Sequence, residues 1–143
     1  MGKRKVLVAL LFVVSIITIF YITLLTREPS MTRQHIFEPF YSYKQILFNG
    51  NLGWISQNLL NITLFVPFGM FAFLLLPRKR SKTQRVFLIF GAALLLSLLI
   101  ESIQFVFKLG FFETDDIFNN TFGGVAGCLI SILILQIKEK YMK

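Results

Sequence analysis

Residues Val86 to Phe107 read VFLIFGAALLLSLLIESIQFVF, an apolar run that carries a glutamate, Glu101, and a glutamine, Gln104, near its far end. A membrane-spanning helix needs roughly 20 predominantly apolar residues, and this run meets that length. Working outward, Val6 to Leu25, Ile55 to Leu76 and Ile117 to Ile137 meet it too. The pattern predicts spans over 6–25, 55–76, 86–107 and 117–137, and hence an all-α integral membrane protein with a four-transmembrane-helix bundle. These spans and their connections use nearly all of the 143 residues, so a single membrane domain over 1–143 is expected.

Composition points the same way. Hydrophobic residues make up 55% of the chain, 17 residues are phenylalanine and only 15% are charged, whereas a soluble domain needs about 25% charged residues to cover its surface. The net charge is +8, and the positive residues cluster at Lys3, Arg4 and Lys5, then at Arg78, Lys79, Arg80, Lys82 and Arg85, then at Lys138, Lys140 and Lys143. Each group flanks an apolar run, where it meets anionic lipid headgroups. Membrane lipids are therefore expected partners and nucleic acid is not. The first run follows a basic start, but no small-x-small cleavage pattern precedes Arg27, so it reads as an uncleaved anchor. The single cysteine, Cys128, lies inside an apolar run and reads as a packing residue.

Charge asymmetry sets an expected orientation. The three basic groups predict cytoplasmic N- and C-termini in the cell membrane. By contrast, the segment from Arg27 to Trp54 sets Arg27, Arg33 and Lys44 against Glu28 and Glu38, and Lys108 to Asp116 sets one base against Glu113, Asp115 and Asp116. The longer of these two segments is rich in aromatics. It predicts an outer interfacial element that is interrupted at Pro39 and ends near Asn49-Gly50-Asn51.

The informative residues are those that lipid penalises. Glu101 and Gln104 lie three apart on one helical face, as do Asn58 and Asn61, and Asp115, Asp116, Asn119 and Asn120 open the fourth run. At about 1.5 Å of rise per residue, Asn61 and Glu101 sit roughly 9 Å below the outer ends of their spans and Asn120 about 5 Å. One outer polar layer is expected. Two uses of it stay open: interhelical hydrogen bonds worth about 1 kcal/mol each, or a pocket for a ligand, which the cost of an intramembrane carboxylate favours. Asp115 and Asp116 also suit the role of caps for the fourth helix. Gly123 and Gly127 have the spacing of a close helix contact, and Pro67 with Gly69 is expected to free the Thr63 carbonyl and kink the second span. There is no phosphate-binding glycine loop and no zinc-ligand pattern, and the one histidine, His35, lies in the outer loop. No cofactor or metal is expected.

Two stretches carry a resemblance. Asn58-Leu-Leu-Asn61-Ile-Thr-Leu-Phe65-Val-Pro67-Phe-Gly69, and Glu101-Ser-Ile-Gln104 followed by Asp115-Asp116-Ile-Phe-Asn119-Asn120-Thr121-Phe-Gly123-Gly-Val-Ala-Gly127, resemble the signature of the VanZ-like family of small bacterial membrane proteins. Phe37-Glu-Pro39-Phe40 resembles a further element of it. The resemblance implies a cell-envelope role and reduced susceptibility to the acyl-tailed glycopeptide teicoplanin. Family members commonly carry an arginine near the position of Gly110; here Lys108 is the nearby base and a poor substitute, since it lacks the planar fork.

Three functions compete. The first is a pocket, lined by Asn58, Asn61, Glu101, Gln104, Asp116 and Asn120, for a lipoglycopeptide or a lipid-linked envelope precursor. The second is an enzyme using Glu101 or Asp116 as general acid or base on such a precursor. The third is an assembly partner that docks another membrane protein on the Gly123 to Gly127 face.

Overall fold

Within hydrocarbon every backbone N–H and C=O must be paired inside the protein, so long apolar runs fold as helices. A computed structural model describes residues 2–32 and 34–141; Arg33 and Lys143, counted above toward orientation, lie outside the described residues. Helix α1 covers Lys3–Phe20 and continues as one π-helical turn over Tyr21–Leu25. A short strand β1 (Gln34–Ile36) and helix α2 (Tyr41–Asn49) follow, then α3 (Gly53–Leu75), α4 (Lys82–Phe107), strand β2 (Phe111–Glu113) and α5 (Thr114–Tyr141). Among the described residues four helices are long and apolar enough to cross a membrane: Lys3–Leu25, Gly53–Leu75, Lys82–Phe107 and Thr114–Tyr141.

The helices outrun the predicted spans because helix ends follow capping and not apolarity alone. Ser81 accepts the Gln84 amide hydrogen while the Gln84 side chain accepts that of Ser81, a capping box that starts α4 before its apolar run. Helix α3 continues through Pro67 to Leu75. Helix α2 begins after the expected interruption at Pro39 and ends at Gly50, whose φ of +64° is readily adopted by glycine. One feature is absent from the sequence reading. Strands β1 and β2 pair in parallel, His35 opposite Phe112, and tie the loop after α1 to the turn between α4 and α5. Three-residue strands are too short to show an alternating pattern.

The bundle is organised by α3 and α5, which share the largest interface. A Cβ at Gly69 would overlap the carbonyl of Gly124, one at Gly123 the carbonyl of Ile62, and one at Gly127 the carbonyl of Val66. The two backbones thus touch along the glycine face. That face is filled by α3, which removes it as a surface for another membrane protein and corrects that expectation. Around this seam Ile19, Phe65, Phe68, Ala93 and Ile100 form one buried cluster, and Phe73, Ile89 and Cys128 a second. Leu10, Ile17, Phe87, Leu95, Phe122 and Leu133 stay exposed, as lipid-facing side chains do.

Because backbone atoms meet these glycines, substitution has no soft neighbour to displace. Gly69→Ala, Gly123→Ala and Gly127→Ala should each destabilise the bundle by about 1–3 kcal/mol or more in detergent unfolding. Nothing lies within 4 Å of a Cβ at Gly91, so Gly91→Ala should be neutral or stabilise by about 0.5–1 kcal/mol. Equal effects at Gly91 and Gly127 would refute the backbone seam.

Candidate functional site

The end of the bundle that carries α2 and the strands gathers all eight polar residues singled out above. Asn58, Asn61, Glu101, Gln104, Asp115, Asp116, Asn119 and Asn120 are each buried. They come from three helices, but they do not form one set. Successive residues on a helix point about 100° apart, so Asp115 and Asn119 share one face of α5 while Asp116 and Asn120 share the next.

The first face makes a closed clasp on α2. Asp115 accepts the Phe40 amide hydrogen at 2.6 Å, the Ser42 amide hydrogen at 2.8 Å and the Ser42 hydroxyl at 2.7 Å. The carboxylate therefore caps α2 and not its own helix, which corrects the expected role of Asp115 at the start of α5. It also steadies Phe40, whose φ of +59° is uncommon for a residue with a side chain. Asn58 donates to Ser42 Oγ at 3.1 Å and accepts from Asn119 at 3.0 Å; Asn119 in turn accepts the Tyr43 hydroxyl at 2.5 Å. Burial and the nearby Asp115 push the Tyr43 pKa up, so the phenol keeps the proton it donates. Asn58, Asp115 and Asn119 thus serve as glue.

The second face is left partly open. Glu101 accepts the Glu113 amide hydrogen at 3.0 Å, Asn120 donates to Ser97 Oγ at 2.9 Å and Gln104 donates to the Thr23 carbonyl at 2.9 Å. Yet Asn120 Oδ1, Gln104 Oε1 and Thr121 Oγ1 are buried without a hydrogen-bond partner, while the Asp116 side chain lies against those of Gln57 and Asn61. Such atoms cost about 1–3 kcal/mol each when left unmet. Among the described residues no group of three His, Cys, Asp or Glu side chains is placed to hold a metal ion.

Two residues that the sequence reading passed over complete this layer. Arg27, counted there only as a loop charge, lies against Gly110, where its guanidinium occupies the space a Cβ would need, and Gly110 adopts φ +150°. Its charge reaches Glu101, Glu113 and Asp116. Lys108 takes no such place: its ammonium donates to the Met31 carbonyl at 3.1 Å. The arginine expected near Gly110 is thus supplied by a remote part of the chain, which corrects the reading of Lys108 as the substitute. The available signal was a lone arginine just past the first span, at the level of the acids. Glu113 is the second addition; it is buried and accepts from Gln57 Nε2 at 3.1 Å.

Burial first, and then the Asp116 carboxylate, push the Glu113 carboxyl up to about 7; Gln57 and Arg27 pull against them and Asp115 adds to them. A carboxyl that holds its proton more tightly when folded loses stability as pH rises from its ordinary value to the raised one. The Glu113 contribution should therefore fall between about pH 4.5 and 7 and level off above. The protonated-carboxyl infrared band removed by Glu113→Gln should titrate near pH 7; a midpoint near 4.5 would contradict its burial among these groups. Asp115→Ala should cost about 1–3 kcal/mol and release α2, read as faster proteolysis between Glu38 and Gly50 with the four spans intact.

No curated protein and no solved structure matches the chain. A family model described as VanZ/LLP1 matches residues 6–135, a range that contains Arg27, both faces of the polar layer and the glycine seam. On that match the chain belongs to the VanZ/LLP1 family.

Proposed function

We propose that this protein is a single-domain envelope protein that receives the polar head of a lipid-tailed amphiphile in the layer of Asn61, Glu101, Gln104, Asp116 and Asn120, and so lowers susceptibility to teicoplanin. The observation that carries this reading is the set of unmet buried atoms in the layer, Asn120 Oδ1, Gln104 Oε1 and Thr121 Oγ1, beside the Asp115 and Asn119 clasp whose hydrogen bonds are complete. Glue alone accounts for the complete face. A cavity of about 340 Å³ between α1 and α3, lined by Leu11, Val14, Leu60, Thr63, Pro67 and Phe71, supports the reading. It starts next to Asn61 in sequence and offers an apolar wall to an acyl chain.

In this reading the layer faces the outer leaflet. The three basic groups, at the start of α1, between α3 and α4 and at the end of α5, gather at the opposite end of the bundle, which by the positive-inside rule supports a reading with both termini in the cytoplasm. The enzymatic reading draws on the carboxyl groups of Glu101 and Asp116, buried side by side in this layer, one of which would act as acid or base toward a lipid-linked precursor. Turnover of such a precursor by purified protein in defined lipid is its signature.

The test is drug susceptibility in a sensitive Gram-positive host that expresses the protein, with Glu101→Gln at matched membrane abundance. Gln keeps the shape and the acceptor for the Glu113 amide hydrogen while removing the titratable carboxyl. Wild type should protect against acyl-tailed teicoplanin and much less against tail-free vancomycin, and Glu101→Gln should remove the protection. Equal protection against both drugs, or none from well-expressed wild type, would sink the proposal.

A further inference from the structure

At the opposite end of the bundle lies a second polar site, built from cations. A cleft of about 260 Å³ is lined by Phe73, Arg78, Arg80, Lys82, Arg85 and Glu139, so four positive side chains face one acid. Among the described residues the one ion pair is Lys44 with Glu38, and none of these four cations is neutralised by a salt bridge. Arg85 differs from the other three. The sequence places it with the basic loop, but it is only 7% exposed. Its guanidinium lies 3.6 Å from the centre of the Phe73 ring and donates through Nη2 to the Phe73 carbonyl. Its Nε is buried with no acceptor. A desolvated guanidinium with an unmet donor, held at the wall of a cationic cleft, calls for an anion with several acceptor oxygens.

We propose that this cleft binds the phosphate of an anionic membrane phospholipid. Phosphate offers the oxygens that the Arg85 fork and the rim cations lack. The lipid source is favoured over soluble phosphate by what adjoins the cleft. A neighbouring space of about 610 Å³ shares Arg78, Leu74 and Leu135 with it and adds Arg4, Lys5 and Leu75. An apolar wall for acyl chains therefore runs on from the phosphate position, with basic residues at the rim where headgroups lie. The site is independent of the polar layer at the other end and stands or falls separately from it.

The test uses the full chain reconstituted in nanodiscs of phosphatidylcholine and phosphatidylglycerol, with retained lipids counted by native mass spectrometry. Wild type should retain phosphatidylglycerol over phosphatidylcholine. Arg78→Gln, Arg80→Gln and Lys82→Gln together, all at exposed positions, should lower that retention at least about tenfold. Arg85→Lys keeps the charge but loses the fork, and should lower it about threefold or more; if that variant fails to fold, the exposed triple variant carries the test alone. Lys138→Gln with Lys140→Gln, outside the cleft, should lower retention far less than the triple variant does. Equal retention of the two lipids, a triple variant that behaves as wild type, or an equal loss in the Lys138 and Lys140 control would overturn the site. In phosphatidylcholine alone, inorganic phosphate should show no ³¹P line broadening; broadening that the triple variant abolishes would assign the cleft to soluble phosphate and overturn the lipid.

Discussion

The contact of two helix backbones, α3 against α5, is the constraint on which the other features rest. Gly69, Gly123 and Gly127 let carbonyl oxygens of one helix sit where side chains of the other would be. In lipid no hydrophobic force draws helices together, so close packing and interhelical hydrogen bonds must do so. The seam sets the rotation of α5 about its axis. Rotation in turn decides which neighbour each polar residue of its first turns meets.

That rotation explains how adjacent aspartates come to differ. Asp115 faces the loop and closes three hydrogen bonds on α2. Asp116, one residue on, faces the bundle and lies against Gln57 and Asn61. Asn119 and Asn120 repeat the division one turn below: Asn119 has both amide atoms engaged, while Asn120 uses only its donor. A layer that looks uniform in composition therefore contains a structural half and a half with free hydrogen-bonding capacity. The two halves need different treatment in any functional account.

The two ends of the molecule also differ in the sign of their buried charge. At one end the carboxyl groups of Glu101, Glu113, Asp115 and Asp116 gather near the guanidinium of Arg27. At the other, Arg85 lies buried among further cations. Each isolated charge would be costly inside a bundle of this kind. Loop segments offset part of that cost at the first end: Arg27 follows the π-helical turn, and the parallel strands hold β2, with Glu113, beside α4.

The sequence by itself determined the number of spans, their approximate limits, the break at Pro39 and the turn near Gly50. Apolar length and distance along a helix are one-dimensional quantities, and they can be counted from Val86 to Phe107 without knowing what packs against them. Only the tertiary structure decided which polar groups meet. Arg27 reaches Gly110, Asp115 caps a helix distant in the chain, and Arg85 turns inward onto Phe73, because the path of the loops and the rotation of α5 bring them there. The physical reason is that a polar group in a bundle is satisfied by whatever shares its level and faces it, and facing is fixed by long-range packing at the glycine seam.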